Sequence, residues 1–171
     1  MKQGNMRAGV TRGNTTVLRL VKLLREKQLT LSTAESCTGG YIAHLLTLLP
    51  GASDYFIGSV VAYDNRVKEK QLLVDPRMIE AHGAVSREVA GQMAVNVARE
   101  LTSDCSIAVS GIMGPDGGTD DKPVGTVWIA TCCKGRLLSR CYRMGDEREE
   151  NITRTAEAAL LQLVEVLKEG P

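Results

Sequence analysis

Three consecutive residues with nucleophilic atoms, Ser36, Cys37 and Thr38, stand inside the segment Thr33-Ala34-Glu35-Ser36-Cys37-Thr38-Gly39-Gly40. A β-prone stretch, Leu29 to Thr33, leads into it, and an apolar run from Tyr41 to Leu49, stopped by Pro50-Gly51, reads as the helix that follows. Backbone N–H groups at such a helix start can hold an anion or an oxyanion. Ser and Thr are also ordinary helix caps, so these residues leave both a catalytic and a capping role open.

A serine nucleophile needs a base. The chain has only His44 and His82, neither beside an Asp-containing motif, so a Ser-His-Asp triad has little to build it. Lysine is the stronger candidate: in Tyr63-Asp64-Asn65-Arg66-Val67-Lys68 a strand's final residue and a lysine five positions on can face one site. An ordinary lysine amine, near 10.4, is protonated at neutral pH. Burial or the neighbouring Arg66 would lower that value, whereas a carboxylate from Asp64 or Glu69 would oppose the shift. Without such a shift Lys68 is a solvated helix lysine.

A third segment, Ser110-Gly111-Ile112-Met113-Gly114-Pro115-Asp116-Gly117-Gly118-Thr119, followed by Lys122-Pro123-Val124-Gly125-Thr126, is rich in glycine. Gly111, Gly114, Gly117 and Gly118 let backbone amides approach a ligand, as anion-binding loops do, although the pattern is neither a Walker A nor a G-x-G-x-x-G element. A purely structural turn fits the same composition. No His, Cys, Asp or Glu cluster has metal-ligand spacing, so no metal is expected.

These segments need a scaffold. Asn14 or Thr15 can cap a first helix carrying Val17, Leu20, Val21 and Leu24 at helical spacing. Phe56 to Tyr63 reads as a strand, Asp64 to Leu73 as a helix, and Pro76 to His82 as a short helix ended by Gly83. Ser86 caps a longer helix in which Val89, Met93, Val97 and Leu101 recur, with Ala90, Ala94 and Ala98 allowing close approach. Cys105 to Ser110 is an apolar run of the kind buried on both faces of a sheet. Thr126 to Cys133 and Arg136 to Arg143 flank Lys134-Gly135, a two-residue hairpin signal, and a long helix from Glu147 to Lys168 closes the chain. Alternating strands and helices followed by a hairpin predict a single α/β domain of three layers, α/β/α, with a mixed central sheet.

Composition bounds the partners. The 171 residues hold 21 Lys+Arg against 20 Asp+Glu, a net charge of +1, so charge alone does not imply nucleic acid. The opening residues 1–13 contain Lys2, Arg7 and Arg12 and no acid, and read as a flexible tail before a domain at 14–171. They lack the apolar region of a secretory signal, and no apolar run reaches the roughly 18 residues of a membrane span, so a cytoplasmic protein without a membrane partner is expected. The five cysteines form no C-x-x-C pair and read as reduced, buried thiols.

In combination the motifs resemble the CinA C-terminal-domain family, the nicotinamide mononucleotide deamidases also known as competence/damage-inducible proteins. The resemblance runs from about Val17 to Leu167 and rests on TAESCTGG at 33–40, PGAS at 50–53, Tyr63-x-Asn65-x-x-Lys68, GAVS at 83–86, SGIMGPDGG at 110–118 and KPVGTVW at 122–128. It implies hydrolysis of the carboxamide of nicotinamide mononucleotide to nicotinic acid mononucleotide and ammonia, without a cofactor, in a protein expected to be a homo-oligomer. By the same resemblance Ser36 is the nucleophile, Lys68 the general base and Tyr63 a proton-relaying or substrate-positioning phenol. Thr38, Gly39, Gly40, Gly111, Gly114, Gly117, Gly118 and Arg148 would contact this pyridine nucleotide. Family members often read Gly-Asp-Arg where the last helix begins; here Glu147 stands between Asp146 and Arg148. The contrasting reading is a non-catalytic CinA-like protein that binds a nucleotide or a protein in stress or competence. The presence of Ser36, Tyr63 and Lys68 together favours the enzyme.

Overall fold

The computed structural model describes residues 12–169. Helix α1 (Arg12–Glu26) leads to strand β1 (Leu31–Glu35), helix α2 (Tyr41–Thr47), a 3-10 turn (Ala52–Asp54) and strand β2 (Phe56–Val61). Helices α3 (Asn65–Leu72), α4 (Pro76–His82) and α5 (Arg87–Glu100) follow, then β3 (Cys105–Gly111), β4 (Thr126–Cys133), β5 (Arg136–Arg143) and α6 (Arg148–Glu169). The five strands form one sheet in the order β2-β1-β3-β4-β5. The pairs β2/β1 and β1/β3 are parallel and β3/β4 and β4/β5 antiparallel, giving the mixed sheet expected from the element order.

Strand alternation divides the core in two. Leu31, Ile107, Val109, Val127 and Ile129 face α1, α2 and α6, packing on Val17, Leu20, Leu24, Leu160 and Leu163. Burying each of these larger aliphatic side chains contributes roughly 1.5–3 kcal/mol. The other face is built from small residues, Ala34, Ala62, Ala108 and Ala130, and meets Ala90, Met93, Ala94 and Val97 of α5. That shallow face lets α5 sit close enough for the Ser106 hydroxyl to donate to the Ala94 carbonyl at 2.6 Å. Helices therefore cover both faces, and the domain has three layers.

Several local expectations shift. Asn14 and Thr15 lie inside α1, which begins at Arg12, so neither is its cap; residues 1–11 of the expected tail lie outside the described residues. Strand β1 runs two residues later than the apolar pattern, because the polar Ser32, Thr33 and Glu35 find buried partners and stay within the ladder. The cysteines also depart from the expectation. Register places Cys105 directly opposite Cys133, and the two are joined as a disulfide, while Cys141 is exposed; Cys37 and Cys132 are buried free thiols. Ser86 caps α5 as expected, accepting from the Val89 amide, and the Lys134-Gly135 turn has φ of 48° and 83°, the positive pair of a tight hairpin.

Candidate active site

The parallel strands β1, β2 and β3 end at the same edge of the sheet, where open α/β folds place ligands. Each contributes to one cavity of about 200 Å³: Ser36 and Cys37 follow β1, Tyr63, Asn65 and Lys68 follow β2, and Ser110, Gly111 and Met113 come from the end of β3. Ala84 and Val85 from the α4–α5 loop and Arg148 from the start of α6 complete the lining.

Lys68 is buried to 1% exposure, with Nζ donating to the main-chain oxygens of Ala62 at 2.9 Å and Tyr63 at 3.1 Å. Asp64 caps α3 by accepting from the Arg66 amide, which fixes the helix so that Lys68 and Leu72 turn inward. Burial pushes the Lys68 amine below the ordinary lysine value, opposed by the neighbouring Cys37 and Asp64. Arg66 has no part in this shift. Its guanidinium turns outward into an ion pair with Asp64 at 3.0 Å.

The adjacent nucleophile candidates separate on burial. Ser36 reaches the cavity at 8% exposure, whereas burial pushes the Cys37 thiol up to about 12, with Glu35 adding to the rise, so it stays protonated and unreactive at neutral pH. Thr38 is withdrawn altogether, its hydroxyl donating to Glu35 at 2.6 Å. Of the three, Ser36 alone offers an uncommitted nucleophilic oxygen to the cavity.

The helix-start amides do something other than the sequence suggested. The Glu35 carboxylate, fully buried, accepts from the amides of Gly40 at 3.1 Å, Ile42 at 3.0 Å and Ala43 at 2.8 Å, so an internal anion already fills the start of α2. Gly40 reaches this geometry at φ 97°, in left-handed territory that suits glycine. Glu35 was legible only as part of the motif; an acid at a strand's end a few residues before a helix is the capping signal.

Arg148 does face the cavity, despite the intervening Glu147. Its guanidinium donates to Tyr63 Oη at 3.0 Å and to the Gly114 carbonyl at 2.8 Å, joining the β2 end, the glycine loop and α6. Asn151, one turn further along α6, secures the same loop by donating to the Met113 and Gly145 carbonyls. Gly111 lines the cavity, but Gly39, Gly40, Gly114, Gly117 and Gly118 do not. At Gly118 a Cβ would sit 2.7 Å from the Val124 nitrogen, so that glycine serves close packing within the loop. Among the described residues no group of His, Cys, Asp and Glu could hold a metal ion, and no helix is long and apolar enough to cross a membrane.

The family model for the CinA C-terminal domain matches residues 14–167. The chain belongs to the CinA family. A CinA-like protein of Cytophaga hutchinsonii is 45% identical over 148 residues, covering 86% of this chain and 35% of that protein. One from Geobacter sp. strain M21 is 52% identical over 131 residues, covering 77% and 32%. The chain thus spans about a third of the length of these CinA-like relatives. Among solved structures, the competence damage-inducible protein A of Klebsiella pneumoniae superposes with a TM-score of 0.91 at 28% identity, covering 94% of this chain and all of that one. The competence/damage inducible protein CihA of Agrobacterium tumefaciens gives 0.89 at 36% identity, covering 96% and 99%. The α/β/α fold with a mixed sheet is therefore the CinA fold.

Proposed function

We propose that this chain is a serine amidase acting on the carboxamide of nicotinamide mononucleotide, releasing ammonia and nicotinic acid mononucleotide. The observation that carries this reading is the convergence of Ser36, Tyr63, Lys68 and Arg148 on one cavity, with the lysine buried and its pKa lowered. A neutral amine donating its two N–H groups to the Ala62 and Tyr63 carbonyls keeps one tetrahedral direction for its lone pair. In the proposed reaction that lone pair takes the Ser36 proton as Oγ attacks the amide carbon. Collapse of the tetrahedral intermediate returns the proton to the departing nitrogen, ammonia leaves, and water activated by the same amine hydrolyses the acyl-serine. Arg148, the exposed cation of the cavity, would meet the substrate phosphate while Tyr63 packs beside the ring.

The experiment is direct: purified chain incubated with nicotinamide mononucleotide should release ammonia and form the acid in equal amounts. The Ser36→Ala protein should release neither. Nucleotide binding without turnover by the unaltered protein would support the non-catalytic alternative.

A further inference from the structure

We infer that Lys122 is a positioning residue of this site: it latches the glycine-rich loop to the end of α4 and thereby holds the Ala84-Val85 side of the cavity in place against the substrate. The inference rests on the amidase reading above for the identity of that substrate. Ala84 and Val85 line the cavity but belong to no helix or strand. Their place therefore depends on what holds the segment between α4 and α5.

Three successive carbonyls of that segment are each held by a side chain. Lys122 Nζ donates to the His82 carbonyl at 2.7 Å, Ser86 Oγ to that of Gly83 at 2.8 Å and Ser110 Oγ to that of Ala84 at 2.7 Å. Ser86 is the cap of α5 and ties the segment to the helix that follows. Ser110 closes a short path to the nucleophile, because the Ser36 amide donates at 3.1 Å to the carbonyl of Val109, the neighbour of Ser110 in β3. Lys122 reaches across from the glycine-rich loop. Its own backbone is set by a turn in which the Thr119 amide donates to the Lys122 carbonyl at 3.0 Å and the Lys122 amide to Thr119 Oγ1 at 3.1 Å.

Gly83 leaves the lysine room to approach. It follows α4 at φ 77°, and a Cβ there would lie 3.4 Å from Lys122 Nζ. The ammonium meets the last carbonyl of a helix, where the backbone partial charge is negative, and a charged donor makes the stronger hydrogen bond. Nearer its start the same loop is held by Arg148, which donates to the Gly114 carbonyl at 2.8 Å. Lys122 is not among the residues that line the cavity, so it acts on the substrate through Ala84 and Val85. A wall contact is made in the ground state and the transition state alike, and weakening it is felt in KM rather than in kcat.

The test compares Lys122→Met and Lys122→Arg with the unaltered protein in steady-state ammonia release from nicotinamide mononucleotide and in NMR relaxation of the backbone amides. Lys122→Met should raise KM about 3- to 10-fold, part of the value of one charge-assisted hydrogen bond. It should leave kcat within about twofold and the pH midpoint of kcat/KM unmoved. The order parameters of Ala84 and Val85 should fall from about 0.85, the rigid range, toward the flexible range below about 0.6. Lys122→Arg should restore both readouts, since a guanidinium also donates to a carbonyl. Lys122 is only half-buried, so Lys122→Met should fold; if it unfolds early, Lys122→Gln carries the comparison. Unchanged KM and order parameters in a folded variant overturn the inference. A raised KM with unchanged order parameters also overturns it, making Lys122 a direct contact of the substrate phosphate, and so does a loss confined to kcat. Unaltered protein that releases no ammonia overturns the amidase reading, and the order parameters of Ala84 and Val85 then decide the latch on their own.

Discussion

Arg148 Nη2 donates to the Tyr63 phenol oxygen at 3.0 Å, closing a contact between residues 85 positions apart in the chain. The contact holds a cation at the cavity mouth, where an anionic substrate group would arrive. Arg148→Met should raise KM for nicotinamide mononucleotide roughly 10- to 100-fold, the equivalent of one or two charge-assisted hydrogen bonds, with a smaller effect on kcat. Initial-rate measurements over a range of substrate concentrations check the split.

The two neighbouring nucleophile candidates should behave oppositely. Ser36→Ala is expected to abolish ammonia release while folding normally, and Cys37→Ala to keep activity within a few-fold, since a thiol held near 12 supplies no thiolate. Survival of activity in Ser36→Ala with loss in Cys37→Ala would reverse the assignment.

As the base of the proposed reaction, Lys68 should set a pH dependence of rate. Because burial lowers its pKa, the proton-free base is populated below the ordinary lysine range, and kcat/KM should rise with pH along a limb whose midpoint lies below that of a free lysine. Lys68→Arg should be as damaging as Lys68→Met, since a guanidinium cannot accept the proton. Substantial activity in Lys68→Arg would make the residue a fixed cation.

The same shift has a stability signature of definite sign. The folded state binds a proton to Lys68 less readily than the unfolded chain, so stability should rise as pH climbs from the folded value toward the unfolded value near 10.4. Below the folded value the penalty is constant. Chemical denaturation of the parent and Lys68→Met across pH 6 to 10, roughly the span below a free amine, should show the parent gaining relative to the variant as pH rises. A parallel pair of curves would contradict the shift.

Glu35→Ala should destabilise the fold by about 3 kcal/mol or more, because the buried Ile42 amide, the half-buried Gly40 and Ala43 amides and the buried Thr38 hydroxyl lose their shared acceptor together. Thr38→Val, which removes one donor, should cost about 1–2 kcal/mol. Denaturant midpoints of both variants check the ordering.

Element types along the chain were readable because apolar spacing and punctuation agreed: Pro76 and Gly83 bracket α4, Ser86 caps α5, and Lys134-Gly135 turns β4 into β5. The convergence of Ser36 and Lys68 was readable from their places after successive strands. The role of Glu35 was not, since its donors come from residues three to eight positions later and appear only once β1 and α2 are joined. Periodicity likewise could not show that Arg66 turns outward or that Gly118 packs against Val124 rather than opening on the cavity. Register, not composition, brought Cys105 and Cys133 together.

The clamp that Glu35 places between β1 and α2 also bears on how a ligand is received. With Thr38 and the first amides of the helix tied to an internal carboxylate, the backbone around Ser36 is already organised before any substrate arrives. Under the proposed amidase reaction, binding would have little main-chain entropy to remove at Ser36, and the ordering that accompanies capture would fall on exposed side chains such as Tyr63 and Asn65. The serine would then serve as a fixed anvil, with adaptation to an incoming nucleotide left to the opposite wall.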